Sequence, residues 1–504
     1  MKKIIQHAPL FLLTIPLVFL INAANHYYTL LNWSLIFLPL LLYVLLSVPV
    51  YFLISMLFYS RDKGGVYTAL LIIIFYFFSA FHQWLKFSFP GIISRYSFML
   101  PLLIILLLLA FIYIRRSSRS FQNILYYFNN ILLLLVAAGL LLYGFKMISH
   151  AERLNDQADP QKKLANTYQP CSHCIKPDIY YILLDGYTNS KTLQSQFGYN
   201  NSAIENYLVQ KGFHVVTDSR SNYNFTHMSI ASLFNLDYLH HLDNSKSFYT
   251  KEFLQSYYTI DRNEWCMILQ KEGYSIRNYS IFPIQNNPSF VTPYLTELSY
   301  RSVPGQTFFN KLNRDIGWKL TPYLFPRDEI RPVERKYIAT NLHRIGETFN
   351  GLMNESRQKN SSPRFIYAHF VLPHETFYFD STGKRLPELY TLRTQINKKD
   401  YVNQVAYTNK FIIAPLIDSI LHNATRPPVI IIQGDHGYRN FPPEQIQFEF
   451  ENLNAVFFPG KNYEAFMYSK TSVNTFRIVL NNYFNQHLPL LKDSTINLLK
   501  IKTQ

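Results

Sequence analysis

Cysteine is scarce in this sequence: only Cys171, Cys174 and Cys266 occur among 504 residues. No second cysteine pair accompanies the Cys171-Ser-His-Cys174 stretch, which excludes a zinc site built from two such pairs. A redox-active pair, half of a zinc site and a local disulfide remain as interpretations of that stretch. We favour a structural disulfide, because the pair lies in a polar linker that we expect to face an oxidising compartment.

Acidic side chains are also under-represented: 32 Asp and Glu stand against 48 Lys and Arg, which gives a net charge of +16. In a cytosolic protein this excess would suggest a nucleic-acid partner. Here part of it falls on loops between apolar runs, so we expect no nucleic acid. Anionic lipid headgroups or a phosphate-bearing substrate are the more natural counterparts.

Charges are nearly absent from much of the first 150 residues. Five apolar runs occur there: 8–25, 33–59, 66–82, 97–114 and 123–147. Each is close to the ~20 residues that cross a bilayer, so we predict a five-helix transmembrane domain over residues 1–150. A cleaved signal peptide is the alternative for the first run, because small residues follow it, but the run is long and more spans come after it.

The basic residues between these runs predict an orientation. Lys2 and Lys3 precede the first run, SRDKGG follows the second and RRSSRS follows the fourth. The loop NHYYTLLN after the first run has no Lys or Arg, whereas the third loop holds Lys86 and Arg95. We therefore predict a multi-pass inner (plasma) membrane protein with a cytoplasmic N-terminus and a periplasmic or extracellular C-terminal domain.

The rest of the chain has the pattern of an α/β domain. Residues 151–176 form a polar linker, and 177–504 form the predicted outer domain. Strand-like segments alternate with helical patterns such as NSAIENYLVQKGF, which predicts a central, mostly parallel sheet. The predicted strands are PDIYYILLDGY, HVVTDSR, PRFIYAHFVLP, PPVIIIQGD and LNAVFFP. The stretch 240–345 has no clear rhythm, and we expect it to be an insertion that shapes the substrate cleft.

Polar residues stand at the ends of three predicted strands. Asp185 ends the first, His374 follows a strand that contains His369, and Asp435 and His436 end a third between two glycines. Because ligands gather at the carboxyl ends of such strands, two carboxylates and an imidazole there suit zinc or manganese. In the alternative interpretation, Asp435 caps the next helix and His436 packs in the core.

Thr226 stands just before the apolar-periodic run HMSIASLFNL, at an expected helix N-terminus. It could serve only as a helix cap. Beside a metal ion and a helix dipole, its hydroxyl could instead be a nucleophile that attacks phosphorus. Ser229 and Ser232 are possible substitutes, but they lie further into the helix.

These residues and their order resemble the sulfatase-like branch of the alkaline phosphatase superfamily. The overall plan resembles the membrane-anchored lipoteichoic acid synthases and phosphoethanolamine transferases of that branch. The resemblance implies an alkaline-phosphatase-like fold in which Asp185, Thr226, Asp435 and His436 hold one divalent metal ion, with Thr226 as the nucleophile. It also assigns a catalytic role to His374.

We further expect His374, His369 and Arg439 to bind substrate. The resemblance implies a transferase that moves a phospho-substituent from a membrane phospholipid to an envelope glycan or lipid. The sequence lacks the C/S-x-P-x-R pattern from which sulfatases make formylglycine, so sulfate ester hydrolysis is less expected. A hydrolase of phosphate or sulfate esters and a non-catalytic envelope binding protein are the two alternatives.

Overall fold

The computed structural model describes residues 9–27, 33–89, 91–156, 164–242, 250–284, 286–292, 303–317, 332–393 and 397–498. Parts of the predicted loop 25–32, of the linker and of the stretch 240–345 lie outside these ranges. The chain divides into two compact units. The helical unit comprises 1–158 and 295–327, and the sheet unit comprises 159–294 and 328–504.

The helical unit begins with five helices in the predicted places. They are α1 Phe11–Tyr27, α2 Trp33–Phe58, α3 Arg61–Ser88, α4 Tyr96–Arg116 and α5 Gln122–Asp156. Four of them, α2 to α5, are long and apolar enough to cross a membrane, whereas α1 is a shorter apolar helix of 17 residues. The described part of the chain thus has four membrane-capable helices where the sequence predicts five spans.

The two basic loops of this unit lie at one end of the helices. Lys63 lies in the basic stretch after α2. Its Nζ donates to the carbonyl oxygen of Arg115, in the last turn of α4, at 3.4 Å and to that of Ser117, just after α4, at 2.6 Å. This common end is what the sequence predicts for two cytoplasmic loops.

Which face of the membrane this end occupies is a prediction that reporter fusions test. Alkaline phosphatase fused after residue 150 should be active, because that point is expected outside the cytoplasm. The same reporter fused at residue 118, in the loop after α4, should be inactive. Active enzyme at residue 118 together with inactive enzyme after residue 150 would reverse the orientation.

One segment departs from the predicted domain limits. Residues 303–317, which the sequence predicts to be part of the outer domain 177–504, group with the helices. Phe308 packs its ring 4.7 Å from that of Phe78 in α3, and Asp315 accepts a hydrogen bond of 2.6 Å from the Tyr96 hydroxyl of α4. The segment groups with the helices because its aromatic and polar side chains contact side chains of α3 and α4. No local pattern in the sequence predicts these contacts.

The sheet unit alternates strands and helices. Its strands are β1 Ile179–Leu184, β2 His214–Val215, β3 Ser275–Tyr279, β4 Arg364–Phe370, β5 Val429–Gly434 and β6 Asn454–Phe457. Its first helices are α6 Leu164–Thr167, α7 Ser190–Phe197, α8 Ser202–Gln210, α9 Thr226–Phe234, α10 Thr250–Asp261 and α11 Glu264–Lys271. After α12 Phe308–Leu312 of the helical unit come α13 Pro332–Arg357, α14 Glu388–Arg393, α15 Lys398–Tyr407, α16 Ala414–Asn423, α17 Ala465–Tyr468 and α18 Thr475–Tyr483.

The six strands form one sheet in the order β2-β6-β5-β1-β4-β3. β1 pairs in parallel with both β4 and β5, and β3 pairs in parallel with β4, while β6 runs antiparallel to β5. β1, β4 and β5 are buried along their whole length, as parallel strands covered on both faces should be. The prediction of a helical membrane domain followed by an α/β domain with a mostly parallel sheet is confirmed.

Two details of the predicted sheet are wrong. β3 lies in the stretch 240–345, for which no strand is predicted. The sequence of this edge strand, Ser-Ile-Arg-Asn-Tyr, has only two buried positions, and so short an alternation gives no clear strand pattern. The predicted strand HVVTDSR contributes only the two residues of β2.

Aromatic packing fixes the position of α9 against the sheet. The ring of Phe234 in α9 lies 4.9 Å from Tyr367 of β4 and 5.9 Å from Tyr181 of β1. Phe476 of α18 closes the same cluster at 5.6 Å from Phe234. Buried aromatic pairs of this kind stabilise the fold by more than the burial of their apolar surface alone, so the last turn of α9 is fixed against the sheet.

The cysteines follow the favoured interpretation. Cys171 and Cys174 form a disulfide, and Cys266 is a buried free thiol. Burial raises the pKa of the Cys266 thiol to about 12, so it stays protonated and inert.

Candidate metal and catalytic site

The parallel pairing of β1 brings its end next to the end of β5. Leu184 is opposite Gly434 in the register, so the residues that follow, Asp185 and Asp435, emerge side by side. One ligand atom from each of Asp185, Asp435 and His436 lies within 4.8 Å of the others, and all three side chains are buried. The structure therefore brings together three of the four predicted metal ligands in one cluster.

The His436 ring is oriented for coordination. Its Nδ1 lies 2.7 Å from the carbonyl oxygen of Gly437, which can only accept, so Nδ1 carries the proton. The lone pair of Nε2 then faces the carboxylates, at 3.3 Å from Asp435 Oδ2 and 3.6 Å from Asp185 Oδ1. A backbone carbonyl that fixes the tautomer in this way is typical of metal-binding histidines.

The carboxylates have oxygens that nothing in the described chain satisfies. Asp435 Oδ1 accepts from the backbone N–H groups of Gly186 at 2.9 Å and His436 at 3.0 Å. Asp435 Oδ2 and Asp185 Oδ1 are buried and have no hydrogen-bond donor among the described residues. Buried carboxylate oxygens without partners are costly, and a divalent cation would satisfy both, so the residues fit a metal ion.

The charge states of the cluster also suit a cation. Burial opposes ionisation of Asp185, but the neighbouring His374 and His369 side chains outweigh this effect and hold the pKa of the Asp185 carboxyl below its ordinary value. Burial lowers the pKa of His436, which keeps that ring neutral. An ionised carboxylate and a neutral imidazole are the forms that bind metal.

The two glycines that flank the Asp-His pair allow close packing of the backbone. A Cβ atom on Gly434 would lie 2.5 Å from the carbonyl oxygen of Tyr187, and one on Gly437 would lie 2.5 Å from that of Glu451. Neither glycine has a positive φ, whereas Gly186, which follows Asp185, has φ 70°. The left-handed turn is thus needed after Asp185, and the glycines around Asp435 and His436 are needed for space.

Thr226 directs its hydroxyl at this cluster. Helix α9 begins at Thr226 itself, its N-cap residue is Phe225, and no side chain makes a capping hydrogen bond. Thr226 Oγ1 lies 3.3 Å from His436 Nε2, and the residue is 6% exposed. The interpretation of Thr226 as a plain helix cap is therefore wrong. The interpretation of Asp435 as the cap of the next helix is also wrong, because its Oδ1 accepts from the backbone N–H groups of Gly186 and His436.

The alternative nucleophiles have other partners. Ser229 donates its hydroxyl to the carbonyl oxygen of Tyr223 at 2.7 Å, and Ser232 donates to that of Asp237 at 2.7 Å. A serine hydroxyl that donates to a buried carbonyl is engaged in structure, which leaves Thr226 as the hydroxyl of α9 that contacts the cluster.

Of the three residues expected to bind substrate, His369 and His374 lie beside Asp185, and Arg439 contacts His374. His369 Nε2 is 3.5 Å from Asp185 Oδ2, and His374 Nε2 is 4.0 Å from Asp185 Oδ1. The Arg439 guanidinium donates to His374 Nε2 and lies over the ring of Phe225, 5.5 Å from its centre. These side chains provide a cation and two imidazoles beside the carboxylates.

Two residues of α15 hold the site and are not among the sequence predictions. The Tyr401 hydroxyl donates to the carbonyl oxygen of Gly186 at 2.8 Å and accepts from the backbone N–H of Thr188 at 3.1 Å. One turn later, Gln404 Nε2 donates to the carbonyl oxygen of His374 at 2.8 Å. Their spacing of three residues places both on one helix face, but nothing in the sequence links that face to Asp185.

His227 is a further buried histidine next to Thr226. Its ring stacks on Tyr257 at 5.0 Å, and burial, followed by the charge of Arg439, lowers its pKa to about 3. The ring is therefore neutral at physiological pH and adds no charge beside Thr226. The sequence signal for His227 is its position next to Thr226 in the motif NFTHM.

Comparisons with known proteins give low-scoring structural matches. No protein-family model and no curated protein sequence matches the chain. The C-terminal periplasmic domain of EcEptC from Escherichia coli, in complex with zinc, matches at 11% identity and TM-score 0.36, over 65% of this chain and 92% of that one. Phosphoethanolamine transferase EptC from Campylobacter jejuni, again the periplasmic domain, matches at 14% and 0.34, over 61% and 90%. The phosphonate monoester hydrolase of Agrobacterium radiobacter matches at 13% and 0.35, over 61% and 73%.

The structural neighbours include the phosphoethanolamine transferases that the sequence resembles.

Proposed function

We propose that the chain is a membrane-anchored, metal-dependent transferase. In this proposal Thr226 takes a phospho-substituent from a membrane phospholipid and passes it to an envelope glycan or lipid. The observation that carries it is the convergence on one point of a hydroxyl, two buried carboxylates and an imidazole: Thr226 Oγ1 lies 3.3 Å from His436 Nε2, beside Asp185 and Asp435. A hydroxyl that neither caps its helix nor binds a carbonyl is free to react.

Asp185, Asp435 and His436, with the Thr226 hydroxyl, would hold the metal ion. When bound, the ion would supply positive charge that lowers the pKa of the hydroxyl and offsets charge on the phosphoryl oxygens. Because the cluster is buried, such charge acts in a low-dielectric setting, where it is worth more than in water.

The covalent step exchanges one ester bond for another. Thr226 Oγ1 forms a bond to phosphorus, the bond from phosphorus to the diacylglycerol oxygen breaks, and the threonine proton ends on that departing oxygen. In the second step the acceptor oxygen forms a bond to phosphorus, the bond from phosphorus to Thr226 Oγ1 breaks, and the proton of the acceptor hydroxyl goes to Thr226 Oγ1. Arg439, which already donates to His374, can offer its remaining N–H groups to the phosphoryl oxygens.

A labelled lipid distinguishes transfer from its alternatives. Full-length protein in vesicles is given a phospholipid whose headgroup carries an isotopic label, together with an envelope fraction. We expect equal amounts of released diacylglycerol and of label attached to the envelope material. Label recovered only as the free headgroup phosphate would make the chain a hydrolase. Absence of both products, in protein with its metal bound, would contradict an enzymatic function.

A further inference from the structure

The helical unit contains an apolar pocket between α3 and α4. Its volume is about 540 Å³, and its walls include Ile74, Phe77 and Phe81 of α3 and Met99, Leu102 and Leu106 of α4. This volume is in the range of sites for small ligands, roughly 300–1,000 Å³. Every residue that lines it is apolar, so the pocket suits a hydrocarbon chain.

Several side chains that line the pocket are exposed on the surface of the helices. Phe81, Leu102 and Leu106 are exposed, and α3 and α4 are both long and apolar enough to cross a membrane. Exposed apolar side chains on such helices face lipid, so the pocket is open to the hydrocarbon of the bilayer. An acyl chain can enter it without crossing a polar surface.

A cluster of charged groups lies beside one wall of the pocket. Phe78, a wall residue, packs on Phe308 at 4.7 Å and on Tyr96 at 6.3 Å. The Tyr96 hydroxyl donates to Asp315, and the same carboxylate pairs with Lys311 at 2.8 Å and Arg314 at 3.3 Å. Among the described side chains of this cluster, two cations accompany one carboxylate, which leaves a net positive charge next to the apolar pocket.

Two further basic residues lie at this end of α3 and α4. Lys86 is in the last turn of α3, and Arg95 is the N-cap residue of α4. They are the two residues that depart from the inside-positive distribution, because the third loop is predicted to lie outside the cytoplasm. The inside-positive rule therefore does not explain these two basic residues. Binding of an anionic lipid phosphate would explain them.

We propose that this pocket holds one acyl chain of a bilayer phospholipid whose phosphate contacts the cations beside it. The inference rests on the proposed function only in naming that lipid as the donor. The residues that would contact the phosphate are Arg314, which is partly exposed, and Lys86 and Arg95 in the loop. Met99 and Leu102 lie along the path of the chain in α4.

Photolabelling tests the site without requiring turnover. Full-length protein in nanodiscs is given a phospholipid that carries a diazirine in one acyl chain, and labelled peptides are identified by mass spectrometry. We expect labelling of α3 and α4 peptides that line the pocket. Ala80 also lines it, so Ala80→Phe should fill it and reduce this labelling about tenfold, equivalent to about 1.4 kcal/mol of binding. Ala138→Phe, at an exposed position of α5, is the matched control and should leave it unchanged.

The charged cluster is tested with a second lipid. Diacylglycerol with the same diazirine chain should label the pocket more weakly than the phospholipid, because it lacks the phosphate. Arg314→Gln should remove that preference, whereas Arg119→Gln, in the loop at the other end of α4, should preserve it. Equal labelling of the parent and Ala80→Phe would overturn the inference, and so would cross-links from the pocket to a second copy of the chain.

The two proposals fail in different ways. Thr226→Ala should be labelled like the parent, because it alters no residue of the pocket. Pocket labelling without any headgroup transfer would leave the lipid site standing and refute the proposed function. Headgroup transfer at the parental rate in Ala80→Phe would refute the lipid site and leave the function standing.

Discussion

Thr226→Ala is expected to abolish headgroup transfer, with a loss of roughly 10³-fold or more, because the covalent route disappears with the hydroxyl. The fold should survive, since the Thr226 side chain makes no capping hydrogen bond and the N-cap residue is Phe225. Release of diacylglycerol measures the activity, and thermal unfolding together with metal content measures the integrity of the site.

Two variants control this result. Thr226→Ser should retain part of the activity, because a primary hydroxyl can still contact His436 Nε2 and attack phosphorus. Ser229→Ala removes a hydroxyl of the same helix that donates to the carbonyl oxygen of Tyr223, and it should cost about 1 kcal/mol of stability while activity remains. Full activity in Thr226→Ala would rule out the threonine mechanism and favour hydrolysis by another nucleophile.

Asp435→Asn is expected to lose the metal ion. The purified parent should carry about one zinc or manganese per chain, and the variant close to none, because a neutral amide is a poor ligand beside Asp185. The backbone contacts can persist, since an amide oxygen can accept from the N–H groups of Gly186 and His436 as Asp435 Oδ1 does. Elemental analysis of the folded protein measures the change.

Stability should respond in opposite ways with and without metal. Metal should raise the unfolding temperature of the parent and not that of Asp435→Asn, because only a ligand that binds the native state stabilises it. Without metal, the variant should be at least as stable as the parent, since it no longer places two buried carboxylates together. Asp418→Asn, at a carboxylate that pairs with Lys211, is the control and should keep its metal. Undiminished metal affinity in Asp435→Asn would remove Asp435 from the ligand set.

Much of the site could be predicted because its signals are local. β1 and β5 are apolar runs that stop at Asp185 and at the Asp435-His436 pair, and parallel pairing brings such strand ends together. Thr226 could be found from its place before an apolar-periodic run. Its position differs from that of a helix cap: Thr226 lies one residue inside the helix, and its hydroxyl contacts His436 instead of the helix backbone.

The features that escaped prediction depend on contacts between distant parts of the chain. Tyr401 binds the carbonyl oxygen of Gly186, which lies 215 residues earlier in the chain. Gln404 of the same helix binds the carbonyl oxygen of His374, 30 residues earlier. The segment 303–317 packs on α3 and α4 through single aromatic and polar contacts, which have no periodicity in the sequence. Such pairings are decided by complementarity between surfaces, and one sequence without its fold does not reveal them.

The central claim is that Thr226 carries the phospho-substituent, and the mass of its peptide tests this most directly. Full-length protein with metal is mixed briefly with a phospholipid donor, quenched and digested, and the peptide that contains Thr226 is examined by tandem mass spectrometry. The account predicts the added mass of the headgroup phosphate on Thr226, and no such addition in Thr226→Ala. The same addition on Ser229, or normal turnover with an unmodified Thr226 peptide at every mixing time, would contradict it.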